Sequence, residues 1–181
     1  MLTRHLPGHR LPKPQDTHLP ISYPASFYSL LLSSAGSVCL VARAPSSDPA
    51  QPPSGPLLGC IAARTVPAST SCLASGNDPE PIPTVYLLCL AVDPSARKCG
   101  LATRMMAEAM RELLPVQGAG CDATRRRCKV VLHVSKTNAA ARRAYEKWGL
   151  VGGRESRCHY VRLSGDAGVA VEYTGELELP A

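Results

Sequence analysis

The stretch TVYLLCLAVDPSARKCGLATRMMAEAM, which begins at Thr84, constrains the fold most. Nine almost wholly apolar residues, Thr84–Val92, are too few for a membrane span, and they read as a central strand buried on both faces. A proline follows, then two cations, a glycine and a helix-forming run. The spacing predicts a helix over residues 100–114 with Leu101, Met105, Ala109 and Leu113 on one face. Helix starts ordinarily recruit a side-chain oxygen for their orphan N–H groups. No Ser, Thr, Asp or Asn stands immediately before this first turn. Uncapped N–H groups there carry partial positive charge and form a socket for phosphate or pyrophosphate. Gly100 removes a Cβ that would hold such a ligand away, and Arg97 and Lys98 add positive charge at the rim. A solvent-exposed cationic turn before an ordinary helix fits the same residues.

Downstream, KVVLHVS (residues 129–135) reads as a strand, and NAAARRAYEKWG as a helix capped by Asn138 and ended by Gly149. GAGCDATRRR, before that strand, reads as a turn-rich connection with an exposed basic run. CHYVRLS and VAVEYTGEL have strand character. The alternation of strands and helices indicates an α/β sheet with mixed strand directions. Upstream, residues 1–18 are a Pro-rich tail without a periodic apolar face, PASFYSLLLSS predicts a short helix, and SVCLVAR and LLGCIAAR predict strands. Pro- and Ser-rich loop or disordered inserts interrupt this half at about residues 44–56 and 66–83. Such inserts cost little, because loop-closure entropy grows only logarithmically with length.

With 181 residues the chain suits one α/β core. Its 17 prolines and 14 glycines cluster, so the ordered part is smaller than the chain. The net charge of +6 favours anionic partners. Only 4% of residues are aromatic, and no basic segment interleaves with stacking residues, which argues against direct nucleic-acid readout. The 8 cysteines contain no C-x-x-C pair, which argues against a zinc site or a disulfide framework and for free thiols in a reducing compartment. SLLLSSAGSVCLVA falls about four residues short of the ~18 that span a membrane.

The R-x-x-G-x-A segment from Arg97 to Ala102 and the N-x-x-A-x-x-x-Y helix from Asn138 to Tyr145 together resemble the GNAT superfamily of N-acetyltransferases. With LPISYPASFY, LHVSKTNAAARRAYEKWGL and HYVRL in the same order, the chain resembles its NatE-type (San-type) N-alpha-acetyltransferases over about residues 19–163. The resemblance implies a GNAT fold: a mixed, mostly antiparallel sheet splayed between two core strands and flanked by helices. The family's first strand and helix have no counterpart before LPISY. Residues 164–181 stand as a C-terminal extension.

The same resemblance implies acetyl-CoA as cosubstrate and no metal. Acetyl-CoA is held by Leu90, Ala91 and Val92 through their backbone, by the loop and helix start Arg97, Lys98, Cys99, Gly100, Leu101, Ala102 and Thr103, and by Asn138 and Tyr145. The N–H of Leu90 is implied as the donor to the developing oxyanion. Tyr86 and His133 correspond to the pair that removes the amine proton through ordered water, and Tyr145 to the phenol beside the leaving sulfur. Leu19, Pro20, Ile21, Tyr23, Leu88, His159 and Tyr160 correspond to positions that bind the peptide. Leu19 stands where the family has an aromatic residue, and His159 where it has tyrosine.

An α-amino group with a pKa of about 7.7–8.0 is neutral in roughly a tenth of molecules at pH 7, whereas a lysine amine near 10.4 is neutral about once in a few thousand. A histidine near neutrality with a relaying tyrosine therefore suits an N-terminal amine. Taken without the resemblance, Tyr86 and His133 are equally a core aromatic and a satisfied inward histidine, Tyr145 a packing residue and Asn138 a sufficient N-cap. The resemblance implies a peptide or nascent-chain N-terminus as substrate, Met followed by a hydrophobic residue, with the NatA complex and the ribosome as partners. It implies a cytoplasmic location, with the nucleus as a further compartment. The alternatives are a superfamily member acetylating lysine or small amines, and a non-catalytic CoA-binding subunit.

Overall fold

The computed structural model describes residues 2–4, 34–45, 55–66, 82–114, 125–157 and 165–180. Strands β1 (Leu2–Arg4), β2 (Ser37–Arg43), β3 (Leu57–Val66), β4 (Thr84–Val92), β5 (Arg125–Ser135), β6 (Val151–Ser156) and β7 (Ala170–Pro180) accompany helices α1 (Leu101–Leu113) and α2 (Ala139–Lys147). The hydrogen-bonded strand order is β1-β2-β3-β4-β5-β7-β6. The architecture is the mixed α/β GNAT fold expected from the sequence. Two units divide the chain, Met1–Arg64 with Leu88–Leu113, and Thr65–Leu87 with Leu114–Ala181.

In the first unit β1, β2 and β3 pair antiparallel. Leu2–Arg4 thus adds three strand residues where the sequence pattern indicated only an extended tail. Val38 to Ala42 are all buried, so this part of β2 is covered on both faces. Helix α1 buries Met105, Met106, Ala109 and Met110. Its apolar stripe is therefore rotated from the expected one, and Leu101 and Leu113 are only half-buried. A Cβ on Gly59 would stand 2.8 Å from the Ala91 carbonyl oxygen and 3.0 Å from Met105 Cε. The absence of that atom lets β3 meet the end of β4 and the helix together.

In the second unit β4 runs parallel to β5, in register from Thr84 opposite Lys129 to Leu87 opposite Leu132. Strand β5 pairs antiparallel with β7 from Arg125 opposite Pro180 to Ser135 opposite Ala170. Strict alternation gives this part of the sheet two different faces. Val85, Leu87, Cys128, Val130, Leu132, Val134, Val171 and Tyr173 are buried. Tyr86, Lys129, Val131, His133, Glu172 and Thr174 alternate with them and are half-buried. The expectation that β4 is buried on both faces is corrected accordingly: only Val85 and Leu87 are buried, and Leu88 to Val92 are half-buried throughout.

Three further elements differ from expectation. The arginines of GAGCDATRRR belong to β5, where exposed Arg127 reaches Glu176 at 2.8 Å. VGGRES, not anticipated as a strand, forms β6 and pairs with β7. The segment 164–181, expected as an extension, supplies β7 between β5 and β6. The helix expected in PASFYSLLLSS, the strand expected in CHYVRLS and most of both inserts lie outside the described residues.

Helix α2 has the ends its sequence demands. The Asn138 side-chain oxygen accepts from the Ala141 N–H at 3.1 Å. At the other end the Leu150 N–H donates to the Tyr145 carbonyl at 3.1 Å and the Gly149 N–H to the Glu146 carbonyl at 3.0 Å. Gly149 adopts φ 80°, which completes a Schellman motif.

Candidate active site

Tyr86 and Val131 are paired across the β4–β5 ladder. His133, two residues beyond Val131, lies on the same face and diagonal to Tyr86. The phenol bridges that diagonal: Tyr86 Oη lies 2.7 Å from His133 Nδ1, with ring centroids 5.9 Å apart. Such a distance belongs to a well-formed hydrogen bond. The His133 side chain keeps 18% of its exposure, enough to exchange a proton with a bound molecule or water. On its other side Nε2 lies 3.6 Å from Oε2 of Glu172, the residue directly opposite in the β5–β7 register. Glu172 was not among the residues singled out from the sequence; the Glu within VAVEYTGEL shows its partner only once the register is known.

Tyr145 is 7% exposed and packs its ring against Trp148, at 5.7 Å between centroids, and Tyr173, at 6.0 Å. The Tyr173 hydroxyl accepts from Arg142 Nε at 3.1 Å and donates to Glu146 at 2.8 Å, which ties helix and strand together. Asn138 acts as the N-cap of this helix. The sequence reading of Asn138 as a cap therefore holds, whatever else its side chain touches.

In the first unit, β4 ends in a tight loop. Asp93 caps a 3-10 turn, Pro94–Ala96, by accepting from the Ser95 N–H at 2.9 Å. Arg97 turns back and donates from Nε to the Val92 carbonyl at 3.0 Å. The Cys99 thiol donates to the Ala96 carbonyl at 2.8 Å. Lys98, at φ 63°, and Gly100, at φ 80°, both occupy the left-handed region. For lysine this conformation costs on the order of 1–3 kcal/mol, and strain of that kind collects at ligand-binding loops. The Gly100 carbonyl accepts from the Arg104 N–H at 3.0 Å and so opens α1. A cap without a side chain leaves the first-turn N–H groups no partner from that residue. Among the described residues, no atom beyond its own chain neighbours lies within 4 Å of the position a Gly100 Cβ would take. Arg97, Lys98, Cys99 and Gly100 are exposed, Leu101 and Ala102 half-buried, and Thr103 exposed. Open space, left-handed backbone and two cations at a helix start fit a phosphate-bearing group.

Leu90, Ala91 and Val92 are half-buried, beyond the last β4 residue in register with β5. Leu88 packs against Cys39 and Ala62. The other expected peptide-binding residues, Leu19, Pro20, Ile21, Tyr23, His159 and Tyr160, lie outside the described residues. The described cysteines, Cys39, Cys60, Cys89, Cys99 and Cys128, are free thiols. Burial pushes the Cys39 thiol up to about 11 and Cys128 to about 12, so both stay protonated at neutral pH. Among the described residues no group of three or more His, Cys, Asp or Glu is placed to hold a metal ion, and no helix is long and apolar enough to cross a membrane.

Comparison with solved structures finds the same fold in enzymes of distant sequence. Arabidopsis thaliana NAA60 in complex with acetyl-CoA matches with a TM-score of 0.62 at 23% identity, over 87% of this chain and 85% of that one. Arabidopsis thaliana Naa50, in complex with the bisubstrate analogue CoA-Ac-MVNAL, matches with 0.55 at 15%, over 87% and 83%. The IAA acetyltransferase from Bacillus cereus matches with 0.61 at 10%, over 98% and 99%. A search of curated proteins finds no match. Residues 13–150 match the model of the acetyltransferase (GNAT) family, a span covering well over half of the chain, and the protein belongs to that family.

Proposed function

We propose that the chain is an N-terminal α-amino acetyltransferase that takes its acetyl group from acetyl-CoA and acts on peptides beginning with Met followed by a hydrophobic residue. The 2.7 Å approach of Tyr86 Oη to His133 Nδ1 on a half-buried sheet face carries this reading. When bound, acetyl-CoA supplies the acetyl group as a thioester. The α1 start, with Arg97, Lys98, Cys99, Gly100, Leu101, Ala102 and Thr103, would hold its phosphates, and Leu90–Val92 of β4 its pantetheine arm. Open space at Gly100 and the left-handed backbone of Lys98 and Gly100 support that placement.

The task of the side chains is to hold and move one proton. A peptide ammonium with a pKa of about 7.7–8.0 is partly neutral at physiological pH, so the base needs only modest strength. His133 accepts the proton at Nδ1, either through the Tyr86 hydroxyl or through water held by the pair. Tyr86 orients the amine lone pair by hydrogen bonding. Tyr145, its ring fixed between Trp148 and Tyr173, would offer its phenol to the departing thiolate. The analogue held by Naa50 contains a peptide that starts Met-Val, which supports the choice of first residue.

The test is acetyl transfer from acetyl-CoA to a Met-Leu peptide, a Ser-initiated peptide and free lysine under identical conditions. The expected order of kcat/KM is Met-Leu first by at least tenfold. Preference for free lysine would overturn the N-terminal reading and leave an amine acetyltransferase of different specificity.

A further inference from the structure

We propose that Glu172 is a positioning residue for the Tyr86–His133 pair, its carboxylate fixing which imidazole nitrogen faces Tyr86 and stabilising the charge His133 gains with a proton. The proposal rests on the reading of that pair as the proton acceptor and extends it to a third strand. His133 and Glu172 are directly opposed in the β5–β7 ladder, so their side chains leave the same face from neighbouring backbones. The 3.6 Å between Nε2 and Oε2 is longer than a closed hydrogen bond and well within range of a direct charge interaction. A carboxylate there favours the proton on Nε2, and so leaves the Nδ1 lone pair to accept from Tyr86, 2.7 Å away. The three residues then form one line, Tyr86, His133, Glu172, drawn from β4, β5 and β7.

Among the described residues, the other charged groups on this face of β5 and β7, Arg127, Lys129, Glu176 and Glu178, stand further along the strands. Arg127 is paired with Glu176 at 2.8 Å, and Lys129 is opposite Glu176 in the register. Val131 and Thr174, opposite each other, separate them from His133 and Glu172. Among the described residues, Tyr86 from β4 and Glu172 from β7 are titratable groups that face the imidazole. At 38% side-chain exposure Glu172 is only partly screened, and its replacement by an uncharged isostere removes charge without opening a core.

The experiment compares the parent with Glu172→Gln and Glu172→Asp by two readouts. The first is NMR titration of the His133 ring in the free protein, which needs no substrate. The second is the pH profile of kcat/KM with Met-Leu peptide, or with lysine should lysine prove the better acceptor. In Glu172→Gln the ring titrates about half to one pH unit lower, the acid limb of kcat/KM moves down by the same amount, and kcat on the plateau falls about 3- to 10-fold. Glu172→Asp keeps the charge and lies between Gln and the parent in both readouts. An unchanged ring titration in a folded Gln variant overturns the proposal. So does a shifted titration with unaltered acid limb and kcat, because the contact would then exist without serving proton transfer. Parent activity on Met-Leu peptide tests the substrate reading separately, since the acid limb is measurable on either acceptor. A parent inactive on both amines would overturn the two readings together.

Discussion

The Asp93 N–H donates to the Leu58 carbonyl at 2.8 Å, and this one backbone bond pins the end of β4 to β3 where the loop toward α1 begins. The next residue of β3 is Gly59, whose missing Cβ would lie 2.8 Å from the Ala91 oxygen. Backbone cannot yield there as a flexible side chain would. Gly59→Ala is therefore expected to destabilise the protein by about 1–3 kcal/mol and to weaken acetyl-CoA binding, because the strain falls on Ala91. Thermal unfolding and calorimetry of the same variant check both effects. A normal melting temperature would show that β3 can shift freely.

Gly100 and Gly149 make a matched pair: both have φ 80°, and among the described residues neither would bring a Cβ within 4 Å of a group beyond its chain neighbours. Alanine at either site meets the same left-handed strain of about 1 kcal/mol. Only Gly100 opens α1. Gly100→Ala is expected to reduce acetyl-CoA affinity beyond its effect on stability, and Gly100→Glu to abolish it, while Gly149→Ala leaves affinity unchanged. Calorimetric titration of the three folded variants checks this; equal affinities for all would remove the α1 start as the phosphate site.

Tyr86→Phe and His133→Ala are each expected to lower kcat by about 100-fold with little change in acetyl-CoA affinity. Because the two atoms share one hydrogen bond, the double variant should lose much less than the product of the single losses. Steady-state kinetics on all three proteins gives the coupling directly. Full kcat in both single variants would reduce the pair to packing.

Buried thiols set an alkaline limit. A pKa raised from 9.0 to about 12 means that folded Cys128 holds its proton where the unfolded chain has lost it. The associated stabilisation is complete below pH 9 and is lost as pH rises through about 12, by about 2 kcal/mol at pH 10.5. Cys39, raised to about 11, acts in the same direction. Cys128→Ala should melt lower at pH 8 because it leaves a small cavity, yet lose less stability than the parent between pH 8.5 and 10.5. Melting curves across that range decide the point.

What was legible in the sequence was mostly local. Asn138 and Gly149 announced both ends of α2 because caps act within a turn of themselves. Gly100 marked the start of α1 for the same reason. Tyr86 and His133 were reachable through the family motifs around them, although 47 residues separate them. The alternation of β4 was hidden because VYLLCLAV contains no strongly polar residue to reveal a period of two. Glu172 and Gly59 owe their places to strand register, which is settled between distant segments. The arginines of β5 looked like a loop until the acidic β7 was set beside them.

Strand β7 enters the sheet between β5 and β6, both of which precede it in the chain. During synthesis β5 therefore leaves the ribosome with a long edge of unpaired N–H and C=O groups, and it keeps that edge while some thirty-five more residues are added. That edge is covered only once β7 pairs with it, and the same pairing sets Glu172 opposite His133. A nascent chain that stalls before Ala170 would present an open strand template, the form in which such sheets associate with one another.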